Sequence, residues 1–148
     1  VSDLMDYPIQ EVSCGVPYII VPVKTLVNIQ NLTFNTQVWE KLKSILKDHS
    51  VYVFTPQGLL PNSDLHGRMF APEIGITEDP ATGSANGPLA CYLFKYDIKK
   101  GPLTSEQGFE MNRPSILHLE IESEKEIIKK VKVGGQAVFV GQGQFIID

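Results

Sequence analysis

The sequence has few of the features that mark specialised classes of protein. It holds two cysteines, Cys14 and Cys91, and neither stands in a Cys-x-x-Cys or Cys/His spacing that would indicate a zinc site. No run of about 18 apolar residues suggests a membrane-spanning helix. The sequence shows no secretory leader pattern either, so we expect a soluble, cytoplasmic protein.

The chain also lacks an excess of positive charge. Its 148 residues include 13 Lys and Arg against 17 Asp and Glu, which gives a formal net charge of -4. A nucleic-acid partner would require a basic face, whereas the one dense group of lysines, at residues 125–132, is interleaved with glutamates. We therefore predict a solvated surface at these residues, and neither a nucleic-acid nor a membrane partner.

The size and composition indicate one ordinary globular domain. Hydrophobic residues make up 43% of the chain and charged residues 20%, and 148 residues suit one domain better than two. The chain begins at Val1 rather than Met, and its first residues resemble a connection already under way. We therefore expect residues 1–148 to be a single domain taken from something longer.

Hydrophobic patterning predicts strands and two helices. Apolar residues at 38, 42, 45 and 46 form one stripe of an amphipathic helix, with Asn35 or Thr36 as its cap. Residues 85–96 are apolar nearly all round, which is typical of a buried helix, and Pro88 should lie in its first turn, near Ser84. Strands are predicted at 15–23, 51–55, 66–71, 117–122, 127–133, 137–140 and 144–147, and loops at 56–64, 72–80 and 99–114. The expected fold class is α+β, a mostly antiparallel sheet around one buried helix.

One segment, Glu78-Asp-Pro-Ala-Thr-Gly-Ser-Ala85, leads directly into this buried helix. The first N–H groups of a helix lack intrahelical partners and carry the positive end of the dipole, so they can bind a carboxylate or phosphate. Gly83 would let a ligand come close to the main chain. Glu78 and Asp79 suit either capping or proton transfer, and Ser84 suits either a cap or a ligand contact. The spacing leaves these alternatives open.

The same segment belongs to a longer stretch that resembles a known family. Residues Arg68-Met-Phe-Ala-Pro-Glu-Ile-Gly-Ile-Thr-Glu-Asp-Pro-Ala-Thr-Gly-Ser-Ala85 resemble the signature of the PhzF-like (phenazine-biosynthesis-like) isomerases and epimerases. Residues 14–22, 106–115 and 131–140 are similar to further stretches of that family, in the same order. The resemblance runs from about residue 12 to the end of the chain.

The resemblance implies a diaminopimelate-epimerase-like fold. In that fold two similar domains each roll a sheet around a central helix, and the active site lies in the cleft between them. This chain corresponds to the C-terminal half, whereas the family's main proton-transfer glutamate and its partner histidine belong to the N-terminal half. The remaining partner is therefore an N-terminal domain of the same protein or a second chain. The resemblance also implies a homodimer that needs no cofactor and no metal.

The resemblance further implies roles for individual residues. It makes Asp79 a catalytic residue, and it makes Thr82, Gly83 and Ser84 substrate-binding residues, with the N–H groups of Gly83 and Ser84 on the substrate carboxylate. The implied activity is isomerisation or epimerisation of a small carboxylate by proton transfer. The alternative is a non-catalytic binding or dimerisation module that keeps the family fold.

Other motifs carry less information. Gly83-Ser84-Ala85-Asn86-Gly87 lacks the Gly-x-Ser-x-Gly spacing of a hydrolase nucleophile, and the three isolated histidines, His49, His66 and His118, predict neither a triad base nor a metal ligand. Asn112 stands where the family would have glycine, and asparagine tolerates the left-handed backbone of such a turn. Arg113 could contact a substrate or hold its own loop in place.

Overall fold

The computed structural model describes residues 2–47 and 49–147. Its strands are β1 (Gln10–Ser13), β2 (Pro17–Pro22), β3 (Val51–Thr55), β4 (Leu65–Ala71), β5 (Ile76–Asp79), β6 (Leu103–Gln107), β7 (Ser115–Glu124) and β8 (Ile127–Gly135). Its helices are α1 (Leu26–Gln30), α2 (Thr36–Leu42) and α3 (Gly83–Lys95), and short 3₁₀ turns lie at Pro72–Ile74 and Phe109–Met111. No helix among these residues is long and apolar enough to cross a membrane.

These strands form one curled sheet around α3. The strand order is β1-β2-β3-β4-β6-β7-β8, and β5 pairs with the second half of β4. β2 is parallel to β3 and β4 is parallel to β6, whereas the other pairs are antiparallel. α3 packs on β1 and β2 at one end of this order and on β7 and β8 at the other. The predicted class, α+β with a mostly antiparallel sheet around a buried helix, is confirmed.

The apolar sequence of α3 explains its central position. Leu89 and Leu93 are fully buried and belong to the main core cluster with residues of the surrounding strands. Thr82 is the N-cap, so the helix begins within one residue of the predicted start. The prediction for Pro88 was wrong, because it is the sixth residue of α3 and lies beyond the first turn. Its missing N–H leaves the Ser84 carbonyl without the usual bond from four residues ahead.

The outer face of the sheet at β3 and β4 is covered by α1, a helix that the patterning did not predict. Ile29 of α1 is fully buried against Val53 and Phe70, in a second core cluster. α2 begins as predicted, with the Asn35 side chain accepting a bond from the Val38 N–H at 3.1 Å. The predicted apolar stripe was wrong, however. Its residues Val38, Leu42 and Ile45 are exposed, and the buried residue of α2 is Trp39.

Four predictions about strands were also wrong. β5 and β6 lie in segments predicted to be loops, although all of β6 except its second residue is buried. Conversely, residues 137–140 and 144–147 were predicted as strands, yet within the described chain residues 136–147 form neither helix nor strand. Six apolar side chains of this tail are between 79% and 97% exposed: Val138, Phe139, Val140, Phe145, Ile146 and Ile147.

Candidate functional site

The predicted site residues meet where β5 ends and α3 begins. Asp79 is the last residue of β5, and Thr82 is the N-cap of α3. Instead of capping the helix, the Thr82 Oγ1 donates to Asp79 Oδ2 at 2.5 Å. Within residues 2–47 and 49–147, the N–H groups of Gly83 and Ser84 consequently have no hydrogen-bond partner.

Gln107, at the end of β6, fixes this arrangement from the buried side. Its Nε2 donates to the Asp79 carbonyl oxygen at 2.6 Å and to Thr82 Oγ1 at 2.9 Å. Its Oε1 accepts from the Thr82 N–H at 3.3 Å and from the Tyr52 hydroxyl at 3.3 Å. Because Gln107 is fully buried and its polar atoms are bonded, Asp79 and Thr82 are held in one geometry.

Asn86 and Tyr52 complete the polar network under the helix start. Asn86 Nδ2 donates to the Thr82 carbonyl oxygen at 2.9 Å and to the Tyr52 hydroxyl oxygen at 3.2 Å. Burial raises the pKa of Tyr52 to about 12, so its hydroxyl stays protonated at neutral pH. Sequence reasoning missed these residues together with Gln107. One signal was present, since Asn86 is a polar residue in an otherwise apolar helix.

The outer side of the helix start is open. Ser84 Oγ shares a hydrogen bond of 2.7 Å with the hydroxyl of Tyr18, a buried residue of β2. Gly83 and Ser84 are both exposed, and a Cβ added at Gly83 would meet no atom within 4 Å. The start of α3 is therefore accessible to solvent, so an anion could reach its unpaired N–H groups.

Glu78 has a structural role that the sequence left open. Adjacent strand residues point to opposite faces, and Glu78 lies on the other side of β5 from Asp79. Its carboxylate accepts two bonds of 2.8 Å from Arg68, from Nε and Nη2. Arg68 is 7% exposed and also donates to the carbonyl oxygens of Ile29 and Leu32, at 3.0 and 2.7 Å. The bond to Glu78 raises the pKa of Arg68, so this buried guanidinium stays charged.

His66 is a buried structural group. Its Nδ1 lies 2.8 Å from Glu106 Oε1 and its Nε2 lies 2.8 Å from Glu110 Oε1. Burial alone would lower the pKa of His66, but the bonds to Glu110 and Glu106 outweigh it and leave that pKa raised. Glu106 also accepts from the N–H groups of Leu59 and Leu60. Among the residues that the structure describes, no three His, Cys, Asp or Glu side chains are grouped so that they could hold a metal ion.

The turn after β6 packs against the site segment. Gly108 and Asn112 both have left-handed backbones, with φ of 82° and 56°, as expected for Asn112. A Cβ at Gly108 would come within 2.7 Å of the Pro80 carbonyl oxygen and closer still to that of Arg113. The Arg113 N–H donates to the Gly108 carbonyl oxygen at 3.0 Å, while its side chain is exposed. The backbone of Arg113 thus closes the turn, and the role of its guanidinium stays open.

A large groove lies elsewhere, between β1 and the start of β8. Gln10, Cys91, Lys95 and Ile127 are among its lining residues. None of the four predicted site residues lines it. The helix start is therefore an open surface and not the wall of this groove.

Comparison with known proteins places the chain in one family. The family model described as phenazine biosynthesis-like protein (PhzC-PhzF) matches residues 2–143. An uncharacterized isomerase of Clostridium acetobutylicum is 38% identical over 153 residues, which cover 99% of this chain and 51% of that protein. The trans-2,3-dihydro-3-hydroxyanthranilate isomerase of Pseudomonas fluorescens is 42% identical over 82 residues, which cover 54% of this chain and 30% of that protein.

The structural comparison agrees with the sequence comparisons. A crystal structure of a PhzF-family phenazine biosynthesis protein of Bacillus anthracis superposes with a TM-score of 0.75 at 26% identity, over 95% of this chain and 49% of that one. The chain spans about half the length of these full-length matches. The curled sheet around a buried helix and the match over residues 2–143 establish that this chain belongs to the phenazine biosynthesis-like (PhzC-PhzF) family.

Proposed function

We propose that this chain is the carboxylate-binding half of an isomerase or epimerase that acts on a small carboxylate by proton transfer without a cofactor. The observation that carries the proposal is the pair of unpaired N–H groups at Gly83 and Ser84, two exposed residues at the start of a buried helix. Several relatives are named isomerases, among them a hydroxyanthranilate isomerase, and this supports an isomerase.

The helix start would hold the substrate through its carboxylate. Two adjacent N–H groups can each donate one bond to a carboxylate oxygen, and the helix dipole adds attraction for the negative charge. Thr82 makes this possible, because its hydroxyl bonds Asp79 and leaves the N–H groups free. Gly83 has no side chain, and a Cβ at this position would meet no atom within 4 Å, so a single methyl group is tolerated there.

Asp79 would act on the reacting part of the bound substrate. Its Oδ2 is fixed by Thr82, and its Oδ1 has no hydrogen-bond partner in the described residues. That free oxygen can accept or return a proton, or hold a substrate amine or hydroxyl. In the reaction, a C–H bond near the carboxylate breaks, its electron pair stays on the substrate, and a proton is returned at another position or face. The main proton carrier would come from the missing half of the site.

A second half, either an N-terminal domain of the same protein or a second chain, would complete the cleft. The chain spans about half the length of its relatives, the helix start is open, and the tail at 136–147 exposes six large apolar side chains. Apolar exposure on that scale indicates a surface that another part of the protein covers. A homodimer, a single domain at residues 1–148 and a cytoplasmic location stay predictions, which light scattering, limited proteolysis and cell fractionation would test.

The carboxylate site can be tested with two substitutions at Gly83 in the protein with all further residues that its gene encodes. Gly83→Pro removes one N–H at the first helical position, where proline is tolerated, and Gly83→Ala adds a Cβ but keeps the N–H. Small aromatic and amino-acid carboxylates would be titrated by calorimetry. We expect the proline variant to bind at least about tenfold more weakly than the alanine variant. Equal affinities would contradict the carboxylate site.

Catalysis needs a separate measurement. Deuterium incorporation from solvent into the same carboxylates, followed by NMR, reports proton removal whether or not a product accumulates. We expect Asp79→Asn to slow exchange by roughly 100-fold or more while it leaves the fold intact. Binding without exchange in the unsubstituted protein, across both classes of carboxylate, would favour the non-catalytic module.

A further inference from the structure

The two cysteines of the chain are in contact although 77 residues separate them. Their Sγ atoms lie 3.6 Å apart. Cys14 is exposed in the turn between β1 and β2, and Cys91 is half-buried near the middle of α3. Gly87, one helical turn before Cys91, lies beside the same cysteine, since a Cβ there would make ordinary van der Waals contacts of 3.7 Å with the Cβ and Sγ of Cys14.

We propose that Cys14 and Cys91 are a modification site: they form a reversible disulfide that ties the β1–β2 hairpin to the central helix. The sulfurs must approach by about 1.5 Å to reach a bond length of about 2.05 Å. Cys14 can supply most of this movement. It is exposed, it lies outside both strands of the hairpin, and it is followed by Gly15, whose φ is 125°.

The oxidant would be a low-molecular-weight disulfide such as glutathione disulfide. The Cys14 thiolate attacks one sulfur of the oxidant, which forms a mixed disulfide and releases one thiol. The deprotonated Cys91 sulfur then attacks the Cys14 sulfur and releases the second thiol. In total, two protein thiols lose two electrons and two protons, and the oxidant gains both as it becomes two thiols.

Exposure sets the order of these two steps. Cys14 is exposed and therefore reacts first with a dissolved oxidant, whereas the half-buried Cys91 sulfur contacts Cys14. Burial, followed by the contact with Cys14, raises the pKa of Cys91 to about 12. Only a small fraction of Cys91 is therefore thiolate at neutral pH, so ring closure is slower than it would be for an ordinary thiol.

The bridge would act on the same two elements that meet at the candidate site. Tyr18 follows the hairpin turn on β2 and bonds Ser84, which lies two helical turns before Cys91. A Cys14–Cys91 bond would fasten this hairpin to α3 a second time. The oxidised protein should therefore be more resistant to unfolding than the reduced protein, since the bridge closes a long loop in the unfolded chain.

The test uses the protein with all residues that its gene encodes, treated with glutathione disulfide or with dithiothreitol. We expect oxidation to lower the intact mass by about 2 Da and to yield a Cys14–Cys91 peptide in a non-reducing digest, both reversed by dithiothreitol. We also expect Tm to rise by roughly 5 °C or more. Cys14→Ser should abolish the mass change, the joined peptide and the rise in Tm.

Three results would overturn the proposal. The first is a stable glutathione adduct on Cys14 with no bridge to Cys91. The second is a bridge that joins two copies of the chain and leaves each Cys91 reduced. The third is an intramolecular bridge with no change in Tm, which would show that the hairpin is not tied to α3 in the way that the contact indicates. All three results are measured on the unsubstituted protein, so they do not depend on whether a cysteine variant folds.

Discussion

The Thr82 hydroxyl donates to Asp79 Oδ2 at 2.5 Å, although Thr82 stands at the capping position of α3. A threonine at this position usually bonds an N–H of the first helical turn. In this protein the hydroxyl fixes a carboxylate instead, and the first N–H groups of α3 stay open. The orientation of the Thr82 side chain thus fixes the Asp79 carboxylate and also leaves the first N–H groups of α3 open.

Thr82→Val tests this relationship, because valine has nearly the shape of threonine but no hydroxyl. It would release Asp79 and leave Gln107 Nε2 with one acceptor fewer in a buried position. We expect the rate of deuterium exchange into a carboxylate that the protein turns over to fall about tenfold, and the free energy of unfolding to fall by about 1–3 kcal/mol. Thr82→Ser, which keeps the hydroxyl, should stay near the unsubstituted protein in both assays. Equal behaviour of the two variants would show that the bond has no role.

Substitutions of Glu78 and Asp79 should have opposite consequences, because these neighbours lie on opposite faces of β5. Glu78→Gln weakens the pair with the buried Arg68, so we expect a loss of about 3 kcal/mol in the free energy of unfolding with little change in ligand affinity. Asp79→Asn should change unfolding little and proton exchange strongly. Urea denaturation and deuterium exchange on both variants measure the two effects. If Glu78→Gln slowed proton exchange and Asp79→Asn destabilised the fold, the site would have to be assigned to Glu78.

The stability of the protein should depend on pH through His66 and Glu110. The pKa of His66 is raised above its ordinary value of 6.5, so its contribution is complete below pH 6.5 and is lost as pH rises through the folded value. Burial would raise the pKa of Glu110, but the bond to His66 outweighs it and leaves that pKa below 4.5. The contribution of Glu110 is complete above pH 4.5 and is lost as pH falls through the folded value. Both contributions are therefore complete between pH 4.5 and 6.5.

Urea denaturation over a pH series measures this dependence. His66→Gln should lower the free energy of unfolding by about 3–5 kcal/mol and reduce its decline above pH 6.5. His118→Gln is the matched control, because His118 is an exposed residue of β7. A similar pH profile for both variants would exclude the buried cluster as its source.

Alanine substitutions at Gly108 and Gly75 distinguish the cost of backbone strain from the cost of steric overlap. Both have left-handed φ values, 82° and 81°, but a Cβ at Gly75 would meet nothing within 4 Å, whereas one at Gly108 would overlap carbonyl oxygens. We expect Gly75→Ala to cost about 1–2 kcal/mol and Gly108→Ala at least twice as much. Thermal unfolding of the two variants gives the difference. Equal losses would mean that the turn at Gly108 can move away from Pro80.

Most of the elements that the sequence predicted correctly are those in which burial follows a simple period. α3 is apolar all round, and β2, β3 and β7 show apolar or alternating runs, so their positions could be read directly. β6 could not, because Ser105, Glu106 and Gln107 are polar and yet fully buried. Their burial depends on partners that are distant in sequence, such as His66 and Thr82, and patterning cannot supply those partners.

The candidate site could likewise be predicted only in part. The helix start and the acidic residue before it were visible in one continuous segment. The orientation of Thr82, the pairing of Glu78 with Arg68 and the support from Gln107 all depend on contacts between distant strands. The exposed stripe of α2 and the apolar tail were misread for a related reason: an apolar pattern shows that a face is to be covered, but not by which part of a protein.

The pairing between β4 and β6 has a consequence for how the protein opens. Within residues 2–47 and 49–147, the strands before α3 pair with those after it through three residue pairs, between residues 65–67 and 105–107. α3 bridges the two parts of the sheet that this short pairing joins, because it packs on β1 and β2 in one part and on β7 and β8 in the other. We therefore expect the backbone amide protons of residues 65–67 and 105–107 to exchange with solvent whenever α3 detaches from the sheet. A carboxylate bound at the first turn of α3 should slow this exchange in both parts of the sheet at once.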